Sequence, residues 1–259
     1  MIVPAMTMMM MMKGVICVVA MIVCVHGTNV FNPAPFPCAY TANFKVETIM
    51  NDTTVVGDGF HSMWGNYISM HTSMSEAGIS ITQMNIMRPD IPEEGKNGSA
   101  AVLSLFWTDC DYEYVQSYDD GYYRVSYVYS MIAGPIPYDE KESSEWEGKK
   151  CTLYKYKSQS MDSEIYVGDD DHVIGSIVKA STSTVKASFS YDFTAYADDF
   201  ILPKSEGRCS DLPKAFEDPE PVPGCEIPHT RPTPQGSSDA STLVVLTPLI
   251  LAVVLAIFI

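Results

Sequence analysis

Hydrophobic and polar residues alternate through the middle of the chain. The clearest run is Val185–Phe193, in which apolar or aromatic residues occupy every second position between Lys, Ser and Asp. A period of two residues is typical of β-strands with one covered and one wet face. The pattern recurs at Ala42–Glu47, Ile68–Met74 and Tyr123–Tyr129, and the runs Val102–Trp107 and Thr152–Lys157 predict further strands.

A turn-rich patch, Gly168–Asp171, separates Ile165–Val167 from Val173–Gly175 and predicts a β-hairpin. No long amphipathic helix is evident. The pattern therefore predicts a mainly β domain, built as a single curved antiparallel sheet or half-barrel of about eight or more strands with few helices.

The beginning of the chain has the features of a signal peptide. Val15–Val25 is apolar and follows Lys13, but it is shorter than the roughly 20 residues that a membrane-spanning helix needs. We therefore expect residues 1–27 to be a signal peptide, cleaved after Gly27, and the mature protein to be secreted.

The end of the chain has the features of a glycosylphosphatidylinositol (GPI) anchor signal. The small polar residues Gly236–Ser241 precede the apolar run Leu243–Ile259, and no Lys or Arg follows it. This arrangement predicts a GPI anchor at Ser238, with Gly236 and Ser237 as neighbouring choices, and removal of residues 239–259. A transmembrane tail is the alternative, which the missing positive flank disfavours. The expected location is the extracellular face of the plasma membrane.

Between the two signals we expect a β-rich ectodomain, residues 28–202, and a proline-rich segment, residues 203–238. Proline at this density removes backbone donors and favours extended chain, so the segment is predicted to be a semi-rigid stalk.

Charge and motifs limit the classes of function. A net charge of −16 and a pI of about 4.5 argue against nucleic acid or an anionic membrane surface as the main partner. No catalytic motif is recognisable and the histidines are scattered, so neither an enzyme nor a cofactor is expected. Asp169–Asp171, next to His172, lacks the spacing of a dedicated calcium loop, so no metal site is expected.

The predicted mature chain keeps five cysteines, and an oxidising compartment favours their pairing. From their positions at the edges of the domain and on neighbouring strands, we expect Cys38–Cys209 and Cys110–Cys151 disulfides, with Cys225 left over. Asn51 and Asn97 begin N-glycosylation tripeptides, which places both on surface loops.

Aromatic residues supply the candidate binding site. They are Tyr127, Tyr129, Phe189, Tyr191 and Phe193, which alternation assigns to one face of the sheet. That face is too apolar for water, and few helices are predicted to cover it, which favours a bound hydrophobic ligand. Tyrosine is also a common strand residue, so the alternative is that these side chains pack in the core.

The order of elements resembles LolA-like and ependymin-related domains. The resemblance rests on Phe36-Pro37-Cys38, Gly57–Phe60, Trp146–Tyr154, the hairpin Ile165–Gly175, and Phe200–Pro203 followed by Cys209, and covers about Cys38–Cys209. It implies a curved antiparallel half-barrel that holds a lipid or another hydrophobic ligand on its concave face.

Two functions follow from these patterns. The first is a non-enzymatic, GPI-anchored surface glycoprotein whose half-barrel binds a lipid or other hydrophobic ligand. The alternative is an adhesion or coat protein that binds an extracellular protein through an aromatic-rich face. An open apolar pocket favours the first, whereas a filled core favours the second.

Overall fold

The computed structural model describes residues 29–50, 53–76, 79–106, 109–116, 125–201 and 219–231. Within these ranges the chain forms thirteen β-strands, one α-helix and a 3₁₀ turn at Ala197–Phe200. In chain order they are β1 Asn29–Phe31, β2 Ala39–Met50, β3 Thr53–Trp64, β4 Tyr67–Glu76, β5 Ile79–Arg88, β6 Ala100–Phe106, β7 Asp109–Val115, α1 Tyr127–Ala133, β8 Ile136–Tyr138, β9 Glu140–Trp146, β10 Lys149–Lys157, β11 Met161–Val167, β12 Val173–Ala180 and β13 Ser183–Asp192.

Eleven strands form one open antiparallel sheet, which confirms the predicted fold class. Their order is β7-β6-β5-β4-β3-β2-β13-β12-β11-β10-β9, so β7 and β9 are the edges. β1 and β8 pair separately as a short ribbon. The predicted hairpin is present as β11 and β12, where the Gly168 amide donates to the His172 carbonyl oxygen at 2.9 Å.

The sheet consists of two meanders joined at its centre. β2 to β7 follow one another in space, as do β9 to β13, and β2 pairs with β13 from Met50 and Ser183 to Thr41 and Asp192. The first long strand of the chain is thereby hydrogen-bonded to the last.

One face of the sheet, here called the helix face, carries the partners Phe44 and Phe189. α1 covers this face because Val128 and Ile132, one helical turn apart, are fully buried in the same cluster as these two rings. The β1–β8 ribbon extends the cover, with the Phe31 ring 4.7 Å from that of Tyr154. Helix and ribbon thus supply the second layer of the core.

The strand predicted at Tyr123–Tyr129 is wrong where the structure describes it, because Tyr127–Ala133 is a helix. Ser126 is its N-cap, and the Ser126 hydroxyl accepts the Tyr129 amide at 3.2 Å. Burial of Val128 and Ile132 stabilises the helix, at about 1.5–3 kcal/mol for each buried side chain. Tertiary packing therefore overrides the strand preference of Tyr, Val and Ile here.

The opposite face, here called the strap face, is covered differently. On the β2 to β7 side, residues 195–201 and a C-terminal strap, residues 219–231, lie over Trp64, Ile86 and their neighbours. The Trp64 indole N–H donates to the Cys225 carbonyl oxygen at 2.6 Å, and a disulfide joins Cys225 to Cys38. The proline-rich residues 219–231 are therefore packed on the sheet and do not form the predicted stalk.

Both predicted disulfides are wrong. Cys38 pairs with Cys225, so Cys225 is not left over, while Cys209 lies outside the described residues. Cys110 is disulfide-bonded, but not to Cys151, which is a buried free thiol. The reason is strand order: Cys110 on β7 and Cys151 on β10 are separated by eight strands, far beyond disulfide reach.

Candidate functional site

The five aromatic residues predicted to bind a ligand do not share one open face. Phe189 and Tyr191 lie on the helix face within the core cluster that α1 covers. Tyr129 belongs to α1 itself and is half-buried, and Tyr127 is on the same helix, with its side chain outside the description. Phe193 follows the end of β13 and is exposed. The helix thus occupies the position predicted for the ligand.

Tyr191 and Phe193 instead belong to a ring cluster near the β11–β12 turn. The His172 ring lies 5.4 Å from Tyr191 and 5.5 Å from Phe193, and Phe36 lies 4.8 Å from His172. The Tyr191 hydroxyl donates to the Val173 carbonyl oxygen, and burial raises the Tyr191 pKa. These contacts fasten the segment before β2 to the sheet.

A cavity of about 380 Å³ lies on β3 to β6. Its lining residues are Asp58, Gly59, Phe60, His71, Thr72, Ser73, Thr82, Gln83, Met84 and Leu105. Gly59, Thr72 and Gln83 are cross-strand partners and so share one face of the sheet. The other seven lining residues occupy the alternate positions of their strands. Because side chains alternate between faces, the seven belong to the strap face, where the cavity opens. We call it the sheet cavity.

One wall of the sheet cavity is made by stacked rings. Phe60 and His71 are cross-strand partners with ring centroids 4.4 Å apart, and the Arg231 guanidinium lies 4.3 Å from the Phe60 centroid. The His71 Nε2 atom is 3.4 Å from the Asp199 carbonyl oxygen. Burial lowers the pKa of His71, so its imidazole is neutral at pH 7.

A buried polar network fixes this wall. Asp199 receives two hydrogen bonds from Arg231, at 3.2 Å from Nε and 2.8 Å from Nη2. The Ser62 hydroxyl donates to the same carboxylate at 2.7 Å, and Thr41 Oγ1 lies 3.1 Å from Ser62 Oγ. Bidentate, charge-assisted bonds of this kind are strong and directional, so the strap ends at a defined point on β3.

The lining combines apolar, hydroxyl and acidic groups. Phe60, Met84 and Leu105 supply apolar surface, whereas Ser73 and Thr82 supply hydroxyls. Asp58 is the lining residue with a full charge, and no Lys or Arg stands among the described lining residues. The sheet cavity is therefore suited to a small amphipathic molecule with a neutral or cationic polar group.

Sequence reasoning missed this site because strand register decides which residues meet. The alternation in Ile68–Met74 predicts that His71 lies on the polar side of its strand, but it does not predict that His71 lies opposite Phe60 or next to Asp199. The segment that packs against Phe60 of this wall, including Arg231, was assigned to a stalk. Its signal in the sequence was Cys225, whose bonding requires the surrounding chain to lie on the domain.

The other predicted site residues have mixed outcomes. Asn97 is exposed in the β5–β6 loop, as a glycosylation acceptor requires, whereas Asn51 and Ser238 lie outside the described residues. In the ranges that the structure describes, no three His, Cys, Asp or Glu side chains group as metal ligands. In the same ranges, no helix is long and apolar enough to cross a membrane.

Comparisons with known proteins add little. No protein-family model and no curated protein matches the chain. Among solved structures, the chain is similar to a DUF1329 family protein from Desulfovibrio piger, with 9% sequence identity, over 69% of this chain and 90% of that chain. The TM-score is 0.18, at which the similarity supports no conclusion about function.

Proposed function

We propose that this chain is a GPI-anchored surface glycoprotein whose β-sheet domain binds a small amphipathic ligand in the sheet cavity, without catalysis. The observation that carries the proposal is the cavity itself. Its volume of about 380 Å³ falls within the roughly 300–1,000 Å³ of small-molecule sites, and its lining has an apolar side and a polar side. The anchor rests on Gly236–Ser241 and the apolar run after it.

The lining charges favour some polar groups over others. A fatty acid would bring its carboxylate towards Asp58, with no basic lining residue to neutralise it. Lys45 lies opposite Asp58 in the sheet, but it is not among the lining residues. The ligand class that fits best has an apolar chain and a hydroxyl or amine group. The resemblance to LolA-like and ependymin-related domains agrees with an apolar ligand, but not with its predicted place.

Calorimetry on protein released from cells by phosphatidylinositol-specific phospholipase C tests this proposal with octylamine, octanol and octanoate. We expect octylamine to bind about 1.4- to fivefold more tightly than octanol, because an exposed ion pair contributes about 0.2–1 kcal/mol. Octanoate should bind more weakly than either. Asp58→Asn should remove the preference for the amine and leave octanol binding unchanged.

A matched pair of variants locates the binding. Thr82→Trp places a large side chain in the cavity from an exposed lining position and should weaken octanol binding at least about tenfold, or 1.4 kcal/mol. Thr54→Trp changes an exposed threonine of the same face outside the lining and should have no effect. If octanol does not bind, or binds Thr82→Trp as tightly as the unaltered protein, the ligand is not in the sheet cavity. Either result would favour the adhesion alternative.

A further inference from the structure

Two aliphatic side chains are exposed together beside the sheet cavity. Val56 on β3 is 49% exposed and Ile49 on β2 is 42% exposed. The pairings Glu47–Val56 and Ile49–Thr54 make them diagonal neighbours on the strap face. Asp58 of the cavity lining follows Val56 by two residues on the same face, so the aliphatic pair and the cavity form one continuous surface.

The described chain ends next to this surface. Arg231 is the last residue of the C-terminal strap, held by Asp199 and lying over Phe60. Phe60 is four residues from Val56 on the same strand, a distance of about 13 Å at 3.3 Å per residue. The described chain therefore ends on the strap face, close to the aliphatic pair.

The tether that follows is short. Only residues 232–237 separate Arg231 from the proposed attachment residue Ser238, and the seven steps from residue 231 to residue 238 span at most about 25 Å. A stalk beginning at residue 203 would have allowed several times that reach, but the disulfide and the Asp199–Arg231 pair fix the strap on the sheet. If Ser238 carries the anchor, only this peptide tether and the glycan of the anchor connect Arg231 to the lipid.

We propose that Ile49 and Val56 rest on the outer leaflet of the membrane that carries the anchor, with the sheet cavity opening beside that contact. The proposal rests on the anchor in the proposed function. Two aliphatic side chains bind a bilayer weakly by themselves, but a covalent lipid supplies the main affinity and a short tether raises their effective concentration at the surface. The strong anionic surface potential belongs to the cytoplasmic leaflet, so the net charge of −16 is compatible with contact outside.

An environment-sensitive fluorophore tests the contact on the full chain anchored to cells. It is attached to Val56→Cys, with Val30→Cys as the matched control, because Val30 is 55% exposed but lies on the β1–β8 ribbon. Emission from position 56 should be shifted to the blue on the cell and should return to the value in water after release by phosphatidylinositol-specific phospholipase C. Emission from position 30 should be the same before and after release.

Two further variants make the result specific. Ile49→Ser in the labelled Val56→Cys protein should reduce the blue shift, and thirty Gly/Ser residues inserted between Thr233 and Pro234 should also reduce it. Equal emission from position 56 before and after release would overturn the contact while the anchor stands. Protein that the phospholipase does not release would overturn the anchor and the contact together. Ligand binding by a secreted chain that lacks residues 239–259 is independent of both outcomes.

Discussion

At the scale of single residues, two histidines, the buried His61 and the half-buried His71, link stability to pH. His61 is fully buried on the helix face, with Nε2 3.2 Å from the Tyr40 hydroxyl. Burial lowers the pKa of His61 to about 3, and burial also lowers that of His71. Both imidazoles are therefore neutral in the folded state, whereas the unfolded chain takes up protons near pH 6.5. Their contribution to stability is complete above about pH 6.5 and is lost as the pH falls below it.

We expect the free energy of unfolding to fall between pH 6.5 and pH 5.5, with a slope that approaches about 1.4 kcal/mol per pH unit for each histidine. Urea unfolding at several pH values measures this slope. His61→Gln keeps a polar partner for Tyr40. The variant should take up about one proton fewer on unfolding at low pH, and its slope should be smaller even if it is less stable overall. The unaltered protein, measured over the same pH range, is the reference.

At the scale of elements, the strap depends on one of two adjacent carboxylates. Asp199 is buried and bonded to Ser62 and Arg231, whereas Asp198 is exposed and pairs with exposed His229. Asp199→Asn should lower the free energy of unfolding by about 1.5–3 kcal/mol, the range for hydrogen bonds to charged groups. Asp198→Asn should change it by less than about 1 kcal/mol. Equal effects in denaturant titrations would mean that the network does not hold the strap.

Elements differ in how well the sequence predicts them. The strand through Phe189 was predictable, because period-two alternation follows directly from one covered face. α1 was not, because seven residues rich in Tyr, Val and Ile carry no helical signal strong enough to oppose their strand preference. The capping role of Ser126 becomes evident only when Val128 and Ile132 have a surface to cover. Either a helix or a bound ligand could cover Phe189, and in the structure α1 covers it.

At the scale of the whole molecule, the Cys38–Cys225 disulfide closes most of the domain into one loop. Its sequence separation is 187 residues, for which the chain-entropy model gives about 5 kcal/mol of stabilisation. Non-reducing peptide mapping should find Cys38 joined to Cys225. Cys151 should resist alkylation until the protein is denatured, because its thiol is buried. A Cys38–Cys209 peptide, or a Cys151 thiol that reacts in the native protein, would contradict this arrangement.

The pairing of β2 with β13 also affects how the domain is made. Roughly 130 residues separate Met50 from its partner Ser183, so the inner edge of β2 stays open until the last strand has been synthesised. At about 5–20 residues per second, that delay is roughly 7–27 s. An unpaired strand edge is a site of association with other chains, and non-local pairing is slow. Folding of this domain therefore depends on protection of the β2 edge during synthesis, since the two meanders join only when β13 has been made.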